Sequence, residues 1–329
     1  MTQSLEQTDR TDAPVTPGRE LCHVGQTDFH AALGDEAHPV EPDRYWLFTS
    51  KLCPFAHRTE IVRALKGVQD QVGLTIAGPV QTSAGWNLAE RHRSDDSAPS
   101  PLEGVTHLPG VYAHAAPGYA GRASVPVLFD TRTGTIVNNE SAEIIRQFDR
   151  VFTSDDSEAL YPEEARGEID DLSRFLEDAL IAPIYRAGFA ADQTTYQTNH
   201  DLVFLALDTL EERLTAVGPH LLGDRLTLAD VHAFPHLARF DAAYHSLYRL
   251  NTRFVRDHPA LSEYMARLGE IPAFGDTLDI DALKAGYFLS WNQPTEGTFV
   301  PAGPPVDPRS GIALHPVGRD HETTRTAGR

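Results

Sequence analysis

The sequence predicts two architectures in one chain: a small α/β domain of order β-α-β…β-β-α, then an all-helical domain. Three observations support this. The strand-like run Tyr45-Trp46-Leu47-Phe48-Thr49-Ser50 is followed at Pro54 by a helical pattern. The segment Ser124-Val125-Pro126-Val127-Leu128-Phe129 turns through Asp130–Gly134 into a returning strand, Thr135-Ile136-Val137. Beyond about residue 166 the apolar stripes all have helical spacing.

Taken in order, residues 1–43 are polar, with no sustained periodicity, and form an N-terminal extension. From Pro54 to Lys66 the stripe Ile61, Val62, Leu65 predicts a helix, with Pro54 at its first position and Gly67 as its C-cap. Val72 to Val80 reads as a second strand. Strand–helix–strand order implies a parallel pair with a crossover helix. Residues 81–124 form a long connection rich in Gly, Pro, His and Ser. Pro126 cannot donate to a ladder, so it belongs where a strand begins or at an edge, and a cis bond before it suits that place. Asn139 or Ser141 can cap a helix that buries Ile144, Ile145 and Phe148. The α/β domain therefore spans 44–151, an acidic linker 152–165, the helical domain 166–291 and a polar tail 292–329. In the helical part, Ile169 to Leu180 gives one stripe and Val203 to Val217 another, ended by Gly218. Thr227-Leu228-Ala229-Asp230 has capping-box form and opens a helix through Arg239. Shorter helices follow near 258–269 and 280–289.

The chain has 329 residues and a net charge of −19, without a dense basic run. That argues against nucleic acid and anionic membrane surfaces as partners. The two cysteines, Cys22 and Cys53, make no disulfide framework, which points to a reducing cytoplasm. No apolar run approaches the roughly 18 residues of a membrane span.

Cys53 is the residue around which the chemistry gathers. It stands where a strand hands over to a helix N-terminus, and N–H groups there favour a thiolate. A buried structural cysteine fits the same place. Position 56 is Ala56, so there is no Cys-x-x-Cys pair, and a working Cys53 acts as a monothiol resolved by an outside thiol. Cys22 has no element to shape its surroundings and reads as incidental. Glu140-Ser141 at a helix start could hold a small zwitterion, or simply cap the helix. Trp86 serves equally as a lid over its loop. His232 and His236 are four apart on a helix, but no carboxylate or Cys completes a metal site locally, and no metal is expected. No P-loop or dinucleotide fingerprint is present. Cys53, Val125-Pro126 and Glu140-Ser141 come from three segments that such a domain gathers at one sheet edge, where an extended peptide could offer its sulfur to Cys53.

Together, Cys53-Pro54-Phe55-Ala56-His57-Arg58, Ser124–Leu128, Thr135–Ile145, Tyr185-Arg186-Ala187-Gly188-Phe189-Ala190 and Arg239-Phe240-Asp241 resemble the Xi-class glutathione transferases, the glutathionyl-hydroquinone reductases. The similarity runs from about Arg44 to about Pro305. Phe55 stands where the family commonly has Trp. The segment Tyr287–Asn292 lacks the basic residue and His usual there. The resemblance implies a thioredoxin-like domain followed by a helical glutathione-transferase domain, a homodimer, and glutathione as thiol co-substrate with a small aromatic thioether. It implies Cys53 as nucleophile. Trp86 and Arg122 would hold the glycine end of glutathione, Val125 its cysteinyl backbone, and Glu140 and Ser141 its γ-glutamyl end. Tyr185, Tyr244 and Tyr287 would line the hydroquinone pocket. Two other readings stay open: the same chemistry with a different low-molecular-weight thiol, and a non-catalytic binding protein on this fold.

Overall fold

A computed structural model describes residues 28–94, 96–152, 158–290 and 299–314. Cys22, part of the acidic linker, the start of the tail and its last residues lie outside them.

The sheet has order β2-β1-β3-β4. The central strand β1 (Tyr45–Ser50) runs parallel to β2 (Val72–Ala77), from Tyr45 opposite Val72 to Ser50 opposite Ala77. On its other side it runs antiparallel to β3 (Val127–Asp130). β3 returns as β4 (Thr135–Asn138), with a register shift between Leu128 and Phe129. Strand β1 is enclosed almost throughout, which its near-continuous apolar sequence anticipates. Gly73 is dictated by its neighbour: a Cβ there would lie 2.2 Å from the Trp46 ring. β2 stops at Ala77, three residues short of the expected end.

Helix α1 (Pro54–Leu65) ends at Lys66, and Gly67 follows with φ +64, the left-handed position a C-terminal glycine supplies. The long connection holds a helix the periodicity did not reveal, α2 (Leu108–Ala115). Helix α3 (Ser141–Val151) packs beside α1. Its cap is Glu140, whose Oε1 accepts the Ala142 N–H at 3.1 Å, rather than Asn139 or Ser141. The Val125–Pro126 bond is cis, and Pro126 immediately precedes β3. Residues 29–31 run along β4, with Ala31 N–H on Val137 O and Asn139 N–H on Phe29 O.

The helical half begins with α4 (Arg166–Phe175), which passes through a π-helical stretch, Leu176–Ile181, into α5 (Ala182–Gly188). Next come α6 (Gln193–Val217) and α7 (Leu228–Arg239). Asp230 closes the start of α7, its carboxylate accepting from Thr227 N–H, Thr227 Oγ1, Leu221 N–H and the Tyr264 hydroxyl. A second π-helical stretch, Phe240–Tyr244, leads to the short α8 (His245–Leu247). The set closes with α9 (Pro259–Glu270), α10 (Pro272–Gly275) and α11 (Ile280–Leu289). Residues 306–314 fold back against α7 and the π-helical stretch after it. Ala313 N–H reaches Asp241 Oδ2 at 2.8 Å, and a Cβ on Gly311 would meet Ala238 O. Among the described residues no helix is long and apolar enough to cross a membrane.

Helix α1 is the hinge of the architecture, because it packs on β1 and α3 on one side and on α7 and α10 on the other. Its N-terminus therefore opens where the two halves meet.

Candidate active site

Cys53 is the N-cap of α1, with extended backbone (φ −81, ψ 116). Its N–H returns to Ser50 O at 3.0 Å, and its carbonyl accepts the His57 N–H at 3.0 Å. The side chain makes no capping hydrogen bond to the helix. Sγ lies 3.6 Å from Val125 O, with the thiol donating, and the residue is partly exposed. The sequence leads one to expect a thiolate here. In the structure burial pushes the Cys53 thiol up. The N–H groups of Ala56 and Phe55 and the guanidinium groups of Arg239 and Arg122 pull the other way without winning.

Val125 sits just before β3, its carbonyl taken by the thiol. Ser141 opens α3, and both Nε and Nη2 of the buried Arg58 donate to its Oγ, at 2.9 and 2.5 Å. An oxygen that already accepts twice turns its own proton outward, ready to donate to a carboxylate. Glu140 Oε1 lies 3.8 Å from Arg58 Nη2. Arg58 is on the helix that Cys53 opens, so one guanidinium ties that helix to the Glu140-Ser141 turn. Its Nη1 also contacts the His232 ring at 3.2 Å, and its plane lies 5.2 Å from the Phe55 ring centroid. His232 is thus a neighbour of a guanidinium, an arrangement opposed to metal binding. Burial and Arg58 hold it down at about 4.

Arg122 is exposed, and its charge reaches Cys53. Trp86 is 4 % exposed, and its carbonyl accepts Leu108 N–H at the start of α2. Its described contacts are with its own loop, not with Cys53.

The three tyrosines, far apart in sequence, come together. The hydroxyls of Tyr185 and Tyr244 lie 3.2 Å apart, and those of Tyr244 and Tyr287 lie 3.0 Å apart. All three side chains are buried. Tyr248 stacks on Tyr244 at 5.3 Å between centroids. A Cβ at Gly188 would lie 2.5 Å from the Tyr248 ring, so the glycine of Tyr-Arg-Ala-Gly-Phe-Ala makes room for this layer. Phe55 links the cluster to the thiol segment, stacking near Tyr185 at 6.4 Å and meeting His236 edge-on at 5.1 Å. Tyr244 ends one π-helical stretch and Tyr185 follows the other, the kind of local widening that recurs at functional sites.

Sequence reasoning assigned no role to Arg58, His57, Tyr248 or Arg239, and weighed His236 only as half of a metal-ligand pair. For Arg239 a signal was present: a cation inside the nearly apolar run Ala233–Phe240 must be buried with its charge.

The fold is that of a glutathione transferase, and comparison with known proteins agrees. Residues 52–151 match the glutathione S-transferase N-terminal domain family, and residues 193–267 the C-terminal domain family. The chain is 38% identical over 278 residues to the glutathionyl-hydroquinone reductase PcpF of Sphingobium chlorophenolicum, covering 83% of this chain and 87% of that protein. It superposes on the Xi glutathione S-transferase of Phanerochaete chrysosporium with TM-score 0.79 at 36% identity, covering 86% of this chain and 97% of the other. The glutathione-bound structure of YqjG, a glutathione transferase homolog from Escherichia coli K-12, gives TM-score 0.79 at 32% identity, with 86% and 95% covered. The chain belongs to the Xi-class glutathione transferases, the family of the glutathionyl-hydroquinone reductases. It is a family of glutathione-dependent enzymes, with the thioredoxin-like and helical halves that the motifs implied.

Proposed function

We propose that this chain reduces glutathionyl-hydroquinone-type thioethers through Cys53, giving free hydroquinone and oxidised glutathione. The observation that carries the reading is the Tyr185–Tyr244–Tyr287 hydroxyl chain, joined to the Cys53 helix start by the Phe55 ring.

Val125 O is the first control point. The cysteinyl N–H of a bound glutathionyl group would compete with the Cys53 thiol for this carbonyl. Losing that acceptor removes a hydrogen bond that favours the protonated sulfur. The Ser141 hydroxyl would donate to the γ-glutamyl carboxylate and Glu140 would receive its ammonium. Arg122 and Trp86 would serve the glycine end. Cys53 thiolate then attacks the glutathionyl sulfur. The new S–S bond forms, the sulfur–carbon bond breaks, and its electron pair passes to the ring carbon, which takes a proton. A phenol O–H from the tyrosine chain hydrogen-bonds the ring oxygens as charge grows on them. A second glutathione thiolate attacks the mixed disulfide, releasing oxidised glutathione and regenerating Cys53. In sum two electrons, one from the thioether sulfur and one from the second glutathione thiol, arrive at one carbon, and Cys53 ends as it began. The same reading carries a reducing, cytoplasmic setting and a homodimer, the latter open to light scattering.

The test is turnover of a glutathionyl-hydroquinone, with mass spectrometry of the Cys53 adduct formed by glutathione and by other small thiols. Cys53→Ser is expected to lose at least about 10³-fold in rate. A serine variant that keeps wild-type turnover overturns the mechanism. An adduct formed by another thiol but not by glutathione overturns the co-substrate.

A further inference from the structure

Arg239 ends α7 in the helical half, yet all its donors point at the start of α1 or back along its own helix. Nε donates to Leu52 O at 3.1 Å and Nη2 to Lys51 O at 2.6 Å, the two residues ahead of Cys53. Nη1 donates to Pro235 O at 2.7 Å and meets His57 Nδ1 at 3.2 Å. The His57 tautomer follows. The Thr277 hydroxyl gives its proton to Ala273 O or Phe274 O, so His57 Nε2 must donate to Thr277 Oγ1, leaving Nδ1 bare to accept from Arg239. Arg239 is 1 % exposed, and among the described residues its hydrogen bonds go to Leu52 O, Lys51 O, Pro235 O and His57, with no ion pair to a carboxylate. The other buried cations nearby differ: Lys51 has Glu60 at 2.7 Å, and Arg58 has Glu140 at 3.8 Å. A buried guanidinium facing only carbonyls and a neutral imidazole has no anion beside it to balance its charge.

We propose that Arg239 is the positioning residue for Cys53 and the fixed counter-charge of its thiolate, supplied across the domain boundary by the helical half. By clamping Lys51 O and Leu52 O it sets where the sulfur sits. The anion that completes its pairing is the thiolate, formed during turnover rather than at rest. The charged and titratable groups around Cys53 are few: His57 and Arg58 on α1, Arg239 and His236 on α7, Lys51 ahead of it, and Arg122 on the loop. His57 and His236 are held far below their usual value by burial, so they bring no charge. Among the cations that lower the Cys53 thiol, Arg239 ranks ahead of Arg122.

The inference rests on Cys53 being the working thiol, but its readout is separate from turnover. The measurement is the pH midpoint of Cys53 alkylation by iodoacetamide. Arg239→Gln, which keeps donors and loses charge, is expected to raise the midpoint by about one unit, and Arg239→Lys to leave it within about 0.3. A glutamine variant with the wild-type midpoint overturns the proposal. Loss of a buried guanidinium can unfold a chain, so a second measurement leaves Arg239 in place. In Arg122→Gln, raising salt from about 0.05 to about 1 M screens exposed cations but not a buried one. The midpoint is expected not to rise. A climbing midpoint gives the role to surface charge and overturns the proposal. If the Arg239→Gln shift appears but wild type never reduces a glutathionyl-hydroquinone, the function fails and Arg239 stands. Turnover without the shift means the reverse.

Discussion

The sheet-edge side of the site and the phenol side follow opposite plans. Val125, Glu140 and Ser141 sit on short segments around the sheet, and they offer backbone groups and a hydroxyl preset by Arg58. Tyr185, Tyr244 and Tyr287 come from three separate helical stretches and are buried in one hydrogen-bonded chain. The first side resembles a docking edge, where each contact adds a modest share. The second is a network, in which each member is held by the next. A single change should therefore cost more on the phenol side than on the peptide side.

Tyr244→Phe breaks the chain in its middle and is the sharpest probe of that contrast. It is expected to lower kcat about 10²-fold, the scale of one lost donor to a developing oxyanion. The KM for glutathione should hold steady. Steady-state kinetics with kcat unchanged would remove the phenols from the chemistry. Ser141→Ala should give the mirror image, a KM for glutathione raised about tenfold with kcat nearly intact. A fall in kcat at constant KM would place Ser141 on the reacting side instead.

The smallest effect concerns the link between the two sides. His92, in the loop after β2, meets Asp279 at 2.7 Å, and Asp279 caps the helix that carries Tyr287. The hydrogen bond from His92 holds Asp279 down at about 2. That lies below the unfolded value of about 3.9, so the unfolded chain binds the proton first. The stabilisation is full above about pH 4 and is lost as pH falls through about 2. A partly exposed pair is worth no more than about 1 kcal/mol. Denaturant midpoints at about pH 6 and about pH 3 should show a smaller acid loss in Asp279→Asn than in wild type. Equal losses would remove the latch.

Local chemistry made much of the fold legible. Pro54 and Gly67 bracket α1, and Asp230 holds the start of α7, because each acts on backbone within a few residues. α2 escaped because its sequence, Leu-Pro-Gly-Val-Tyr-Ala-His-Ala, carries a proline and a glycine inside a stretch of loop composition. The helix of Ile169 to Leu180 runs on to Gly188 through a π-helical stretch, which a 3.6-residue stripe cannot follow. The meeting of the tyrosines was accessible only through family resemblance, since no local pattern encodes contacts made across so much chain. The balance of effects on the thiol was not legible for a related reason. The helix start is visible in sequence, whereas the burial that outweighs it is made by distant residues.

The return of residues 306–314 gives the molecule a further connection. Ala313 holds Asp241, two residues past the guanidinium that grips the turn before the sulfur. The anchor of residues 306–314 and the grip on the segment ahead of Cys53 therefore share one three-residue piece of chain, 239–241.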